Sequence, residues 1–276
     1  MKPTFMLAPM EDVTDNAMRA LCYRHGADFT FTEMARFDSL ARKNKGTVEK
    51  TLILDDTPTW IQIVGSNEQK LKAYLKDFEP AKSFLGFNLN LGCPSPNLVN
   101  TGIGCAMVRR ISKTRKLVNI VKERGFPCSV KMRLGLNAMD KKNKVYLNLI
   151  DAVDADMFIV HTRIATDTYD VPADHSVLKE CVAIGKTIIA NGDIDTKDKV
   201  QKVLDLGAKG VMIGRSAICN PGIFAMLKGM PVPSIDSLKA EYNLLAERFN
   251  SPQKYRKNVM KHLGKHATVD NEHVQG

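Results

Sequence analysis

Short apolar runs alternate with longer stretches of helical periodicity along most of this chain. Residues 87–91 alternate apolar and polar side chains as a strand does, whereas residues 197–206 repeat apolar positions every three or four residues, as an amphipathic helix does. Strands that are each followed by a helix or helix-like connection predict an α/β fold, a (β/α)8 TIM-type barrel of about 250 residues. The predicted strands cover residues 5–8, 29–32, 60–64, 87–91, 128–132, 157–161, 187–190 and 210–213.

The helical periodicity continues beyond the last strand into a second, smaller region. A proline-containing break ends the last barrel helix, so we predict a barrel over residues 1–232 and a small basic helical domain over residues 233–276. Within that domain the pattern predicts helices over residues 234–249 and 255–267, followed by a loose polar tail from Thr268. The predicted barrel helices cover residues 16–24, 68–76, 114–124, 143–153, 176–184 and 197–206.

The charge balance narrows the choice of partners. The chain has 276 residues, and its 40 Lys and Arg against 30 Asp and Glu give a formal net charge of +10. This excess favours a polyanionic partner, although a merely basic surface would produce the same balance.

The cysteines and the amino terminus predict the compartment. The six cysteines form no CxxC pair, and residues 1–10 are too short and too lightly charged for a secretory leader. No apolar run approaches the roughly 20 residues of a membrane span. We therefore expect a cytoplasmic protein without a membrane partner, and we also expect it to be a monomer. Neither HExxH nor zinc-ribbon spacing occurs, so no metal site is predicted.

One strand ends in a segment that presents a thiol. Asn88 and Asn90 point away from the apolar face of their strand, and Gly92-Cys93-Pro94 then ends the strand abruptly. An ordinary thiol, with a pKa of about 8.5, is mostly protonated at neutral pH and can donate a proton. Cys93 is therefore a candidate acid, and the alternative is an inert buried cysteine.

Polar residues also stand at the ends of other predicted strands, where TIM-type barrels place their active sites. Lys131 and Arg133 share one face of their strand, and their burial indicates either an electron-rich ligand or a salt-bridged structural pair. His161 ends the next strand. Residues 190–193 and 213–216 form glycine-bearing turns after the last two strands, in positions that often bind phosphate.

Taken in order, these segments resemble the tRNA-dihydrouridine synthase family, flavin enzymes that reduce uridine in RNA. The resemblance implies an FMN-binding barrel with a C-terminal helical domain, NADPH or NADH as the reductant, and tRNA as the partner. The matching segments are residues 8–15 (APMEDVTD), 60–65, 90–96 (NLGCPSP), 102–106, 130–133, 160–161, 190–194 and 210–215.

The resemblance implies roles for individual residues. The backbone of Pro9 and Met10, together with Gln62, would contact the flavin ring, and Lys131 would lie beside its N1–O2 edge. Cys93 would give a proton to uracil C5 while reduced flavin gives a hydride to C6. Asn90, Arg133 and Arg163 would lie near the substrate. The ribityl chain and phosphate would be held by His161, Asn191, Gly192, Asp193, Gly214 and Arg215.

The chain also departs from the family pattern. Asn97 stands where a basic residue is common shortly after GCP. The segment after His161 keeps Arg163, Tyr169 and Ala173-Asp174 but lacks the usual glycines, and His175 replaces a tryptophan. The C-terminal region is also short. These differences leave the implied flavin site intact and concern substrate position and RNA docking.

Basic residues near the carboxyl end predict where RNA would dock. On a helix starting near residue 255, Lys254, Lys257, Lys261 and Lys265 would share one face. A solvated helix face is the alternative. Two other functions stay open: a flavin barrel that reduces a free pyrimidine or another small molecule, and an RNA-binding barrel without catalysis. Salt sensitivity of substrate binding would separate the first from RNA reduction, and a bound flavin would exclude the second.

Overall fold

The structure, a computed structural model, describes residues 2–265. Its strands are all parallel and follow the order β1-β9-β8-β7-β6-β5-β4-β2, with β3 also paired to β4. A parallel bridge between Met6 and Phe29 closes the sheet into a barrel, which confirms the predicted fold class. The strands are β1 (Thr4–Leu7), β2 (Thr30–Phe31), β3 (Ala35–Arg36), β4 (Thr59–Val64), β5 (Phe84–Leu91), β6 (Cys128–Arg133), β7 (Phe158–His161), β8 (Ile188–Asn191) and β9 (Gly210–Ile213).

Helices surround the barrel and begin at side-chain caps that the sequence supplies. Asp15, Asn67 and Thr196 each accept a hydrogen bond from a backbone N–H of the helix that follows. Short 3-10 helices span Gly104–Arg109 and His175–Val177. The α-helices are α1 (Asn16–Arg24), α2 (Phe37–Leu40), α3 (Lys45–Glu49), α4 (Glu68–Lys76), α5 (Pro96–Val99), α6 (Ile111–Glu123), α7 (Ala138–Lys142), α8 (Val145–Ala152), α9 (Leu178–Ala183), α10 (Lys197–Asp205), α11 (Arg215–Cys219), α12 (Ile223–Lys228), α13 (Ile235–Arg248) and α14 (Gln253–His262).

The second predicted strand is broken in two. Residues 29–32 were expected to form one strand, but β2 contains only Thr30–Phe31, and β3 pairs with β4 further along. The reason lies in Thr32, whose Oγ1 accepts the backbone N–H of Gln62 at 3.0 Å and donates to the Glu33 carbonyl at 3.0 Å. A side chain thus replaces one backbone partner, and the ladder is interrupted there.

The apolar core has two layers. Phe87, Leu89 and Leu91 point from β5 toward the surrounding helices and join the main core, as their alternation with asparagine predicted. A second cluster, which includes Trp60 and Met212, fills the barrel interior. On β4, Gln62 follows Trp60 toward the carboxyl end of the strand. The polar side chains therefore gather at the carboxyl ends of the strands, above an apolar interior.

The two C-terminal helices pack against the barrel. Glu241 of α13 accepts hydrogen bonds from Arg24 at 3.0 Å and His25 at 2.7 Å, at the end of α1. The Tyr255 hydroxyl of α14 donates to Glu33 at 2.6 Å. Whether residues 233–276 form a separate domain stays a prediction, and the predicted tail from Thr268 lies outside the described residues.

Candidate active site

A cavity of about 840 Å³ opens at the carboxyl ends of the strands. This volume lies within the range of about 300–1,000 Å³ that is usual for small-molecule sites. The cavity brings together groups that the sequence places far apart. Its lining includes Ala8, Met10, Pro94, Lys131, Arg133, His161, Arg163, Asn191, Gly192, Asp193, Gly214 and Arg215.

Cys93 lies at the edge of this cavity, directly before the lining residue Pro94. Its backbone is held on both sides: the N–H donates to Asn90 Oδ1 at 2.9 Å, and the carbonyl accepts from the Cys105 N–H at 2.9 Å. Cys93 belongs to a small apolar cluster with Val64, Leu98 and Ile103, and the residue is 8% exposed. Burial raises the pKa of the Cys93 thiol, although the nearby charge of Lys131 opposes this. The thiol therefore remains protonated at neutral pH.

Lys131 and Arg133 point from β6 into the same cavity, and both side chains are buried. No carboxylate within residues 2–265 forms an ion pair with either of them. Arg133 Nη1 donates to the Ile164 carbonyl at 2.8 Å, and its buried Nε has no partner in the described chain. Burial, reinforced by the charge of Arg133, lowers the pKa of Lys131 to about 8. A salt-bridged structural pair is thereby excluded for the described residues, and an electron-rich ligand is favoured.

Gln62 and Asn90 are buried and lie outside the lining of the cavity, where Asn90 contacts the backbone of Cys93. Asn90 Nδ2 donates to Gln62 Oε1 at 2.9 Å, and Asn90 Oδ1 accepts the N–H groups of Gly92 and Cys93. Each amide therefore has protein partners. The predicted contacts of Gln62 with flavin and of Asn90 with uracil remain predictions that would use the remaining hydrogen-bonding capacity of these groups.

The other end of the cavity is built from the turns after β8 and β9. Asn191 Nδ2 donates to the Met212 carbonyl at 2.9 Å and ties the two strands together. Within residues 2–265, the backbone N–H groups of Gly192, Asp193, Gly214 and Arg215 have no hydrogen-bond acceptor. Such a group of free N–H donors beside an arginine suits a phosphate group.

Asp193 compensates the arginines at this end. Its carboxylate accepts from Arg163 Nη2 at 2.6 Å and from Arg215 Nη2 at 2.8 Å. Burial raises the pKa of Asp193, but the Ala173 N–H and the two guanidinium groups outweigh it and lower the pKa overall. The guanidinium carbon of Arg215 also lies 3.9 Å from the ring centroid of Tyr169. Asp193 and Arg215 therefore fix the geometry of this end before any ligand binds.

Arg163 and His161 support the wall of the cavity. Arg163 is buried and donates to the carbonyls of Val171 at 2.7 Å and Tyr169 at 3.2 Å. Its Nη1 lies 3.2 Å from His161 Nε2, which must accept because arginine only donates. Burial and the surrounding cations lower the pKa of His161 well below its usual value, so His161 is neutral. Arg163 holds the loop after β7, and its direct contact with substrate stays a prediction.

Comparison with known proteins decides the family. A model of the dihydrouridine synthase family matches residues 6–273. The chain belongs to the dihydrouridine synthase family. The family membership and enzyme class predicted from the sequence are thereby confirmed.

Individual proteins similar to this chain carry the same family name. It is 31% identical over 258 residues to tRNA-dihydrouridine synthase B of Pseudomonas syringae pv. tomato, covering 87% of this chain and 74% of that protein. It is also 31% identical over 237 residues to the probable tRNA-dihydrouridine synthase 2 of Bacillus subtilis, covering 81% and 71%. An old yellow enzyme homologue from Zymomonas mobilis shares the fold, with a TM-score of 0.55 at 12% identity over 85% of this chain and 91% of that one.

Sequence reasoning did not identify His175 as part of the site of this dihydrouridine synthase. His175 Nε2 donates to the Gly192 carbonyl at 2.7 Å, and the Ala173 N–H donates to Asp193 at 2.9 Å. The segment before α9 therefore clamps the turn after β8. The replacement of tryptophan by histidine at position 175 was visible in the sequence, but the fold was needed to show which group it contacts.

The basic C-terminal surface of this family member differs from the prediction. Lys257 and Lys261 are exposed on α14, but that helix ends at His262, so the expectation that Lys265 continues the same helical face is wrong. Gly264, with φ of 88°, follows the helix end and explains this stop. Lys254 pairs with Asp12 at 2.5 Å, and residues 266–267 lie outside the described part. None of the described helices has the length and apolarity needed to cross a bilayer.

Proposed function

We propose that this protein reduces uridine to 5,6-dihydrouridine in tRNA, with FMN as cofactor, NADPH or NADH as reductant, and Cys93 as proton donor. Family membership supports the reaction, since the matched family is that of dihydrouridine synthases. The residue assignment rests on one observation: Cys93 lies near the charges of Lys131 and Arg133 at one end of the cavity.

The cavity fits FMN. Free N–H groups of the turns after β8 and β9, with Arg215, would hold the phosphate. Met10 and Lys131 also line the cavity, where the flavin ring would lie, and Gln62 is buried on β4 outside the lining. When bound, FMN supplies two-electron reduction, which the side chains of this protein cannot provide. A positive charge on Lys131 would stabilise a ring that gains negative charge on reduction.

Cys93 would supply the proton that the reaction needs in addition to the hydride. Reduction of the uracil double bond requires a proton as well as a hydride, and a general acid placed on one face of the base supplies it. The raised pKa keeps the Cys93 thiol in its protonated form at neutral pH. The backbone contacts with Asn90 and Cys105 fix the position from which that proton is given.

Two observations support tRNA as the substrate. Curated relatives carry the name tRNA-dihydrouridine synthase over most of this chain. The net charge of +10 and the exposed Lys257 and Lys261 suit a polyanion. A base must leave its stack to reach a barrel mouth, so a deep cavity is compatible with an RNA substrate.

The test uses the full chain supplied with FMN and NADPH, and separately NADH, and unmodified tRNA transcripts. Mass spectrometry of digested RNA should show dihydrouridine that depends on both FMN and the reductant. A parallel reaction with free uridine and uracil should give no product. Dihydrouridine in neither arm would refute the proposal, and product only from the free base would establish the small-molecule alternative.

A further inference from the structure

A row of buried polar side chains crosses the barrel interior below the cavity. Gln62, Asn88 and Ser129 are register neighbours on β4, β5 and β6, and Asn90 follows two residues after Asn88. All four are buried, and none of them lines the cavity. Burying polar groups costs free energy unless each of them is hydrogen-bonded. An apolar interior would avoid this cost, so the presence of the row needs an explanation.

The hydrogen bonds of this row all run in one direction. Cys93 N–H donates to Asn90 Oδ1 at 2.9 Å, and Asn90 Nδ2 donates to Gln62 Oε1 at 2.9 Å. Gln62 Nε2 donates to Asn88 Oδ1 at 2.7 Å, and Asn88 Nδ2 donates to Ser129 Oγ at 2.9 Å. Turning any one amide over would place two donors or two acceptors against each other. The backbone N–H groups of Gly92 and Cys93 can only donate, so they set this direction at one end. At the other end the hydroxyl of Ser129 donates to the Phe87 carbonyl at 3.5 Å, which leaves its oxygen to accept from Asn88.

We propose that Ser129 and Asn88 are positioning residues, which fix the amides of Gln62 and Asn90 and, through Asn90, the backbone of Cys93. The proposal rests on the proposed role of Cys93 as proton donor. Neither residue touches the cavity, so both act only through the row. A shift of about 1 Å in a catalytic group can lower a rate by about a hundredfold, so loss of this support should be measurable.

The test compares Ser129→Ala and Asn88→Leu with the unchanged protein. In protein without FMN, we expect faster alkylation of Cys93, followed by mass spectrometry of its peptide, because its backbone is less firmly held. In the loaded enzyme, the single-turnover rate of reduced protein with tRNA should fall about tenfold to a hundredfold, while flavin reduction by NADPH is unchanged. Ser129→Thr, which keeps the hydroxyl, should restore both readouts.

Thr30→Val is the matched control, since Thr30 shares a buried hydroxyl contact of 2.9 Å with Thr59 that is separate from the row. It should lower the melting temperature without affecting Cys93 alkylation or turnover. The inference is overturned if Ser129→Ala behaves like this control, and Ser129→Ala keeps the test usable if Asn88→Leu does not fold. Failure of the proposed function is distinguishable, because the unchanged protein would then not react with tRNA, or Cys93→Ala would turn over normally, whereas Cys93 alkylation would still report on the row.

Discussion

The two ends of the cavity differ in how their charges are compensated. At the end proposed to bind phosphate, called the phosphate end below, Asp193 accepts hydrogen bonds from both Arg163 and Arg215. At the end proposed to be catalytic, called the catalytic end below, Lys131 and Arg133 are buried without a carboxylate partner in the described chain. A buried charge without a partner destabilises the folded protein. The side-chain charges at the first end are thus compensated within the protein, whereas those at the second end are left to a ligand.

Replacing Cys93, the proposed proton donor, should have the largest effect. Cys93→Ala should lower the single-turnover rate with tRNA by about 10²–10⁴-fold, the usual contribution of a general acid, while FMN binding and flavin reduction persist. Stopped-flow oxidation of the reduced protein measures this rate. Cys128→Ala, at the buried beginning of β6, is the control and should keep the rate. An unchanged rate for Cys93→Ala would show that Cys93 is only structural.

Removing the unpaired charge of Lys131 should stabilise the FMN-free protein. Because burial lowers the pKa of Lys131 to about 8 from 10.5, the folded state binds this proton more weakly than the unfolded state does. The free energy of unfolding should therefore rise between about pH 8 and pH 10.5, by about 3 kcal/mol from this group.

Lys131→Met should remove that rise and increase stability at pH 7, as measured by urea unfolding, and it should weaken FMN binding. A variant that is less stable than the original protein at pH 7, with an unchanged pH profile, would mean that Lys131 already has a compensating partner.

Removing a charge at the phosphate end should instead destabilise the protein. Asp193→Asn removes the anion between two arginines and should destabilise the protein by about 1–3 kcal/mol. This is less than for a fully buried pair because the Asp193 side chain is 26% exposed. Asp56→Asn, which breaks the exposed pair with Lys82, serves as control and should change stability by less than about 0.5 kcal/mol. Equal effects of the two variants would remove the distinction between the ends.

The smallest effect is expected on the C-terminal surface. Changing Lys257 and Lys261 to Gln should flatten the slope of log affinity for tRNA against log salt by roughly 1.5, and adding Lys265→Gln should reveal whether this residue still contributes although it lies beyond the helix. FMN content should not change. Filter binding at several salt concentrations measures the slope, with Lys202→Gln and Lys209→Gln, both exposed, as a control of equal charge. An unaltered slope would place the RNA elsewhere.

The facing of strand residues could be predicted from the sequence because a strand alternates its side chains. The alternation of Phe87 and Asn88 thus gave the inner and outer sides of β5, and the spacing of Lys131 and Arg133 placed both in the barrel. The end of α14 was also predictable, since Gly264 is a helix-stop signal, but the lysine spacing was extended past it.

Contacts between distant segments could not be predicted in the same way. The split of the second strand depends on Thr32 meeting Gln62, and the clamp on Gly192 depends on the path of the loop that brings His175 to it. Glu33 illustrates the same limit, because its partners Asp12 and Tyr255 come from opposite ends of the chain. Periodicity specifies which side of an element a residue faces, and tertiary packing specifies what it meets there.

The most direct measurement of the unpaired charge is the number of protons taken up when FMN binds. Isothermal titration at about pH 8.5, repeated in buffers of different ionisation enthalpy, gives this number. An electron-rich ligand beside Lys131 should raise the lowered pKa of that residue, so FMN binding should be accompanied by proton uptake. Lys131→Met should bind without uptake. If the unchanged protein binds FMN without taking up protons, the claim that Lys131 lacks a charge partner before FMN binds would be contradicted.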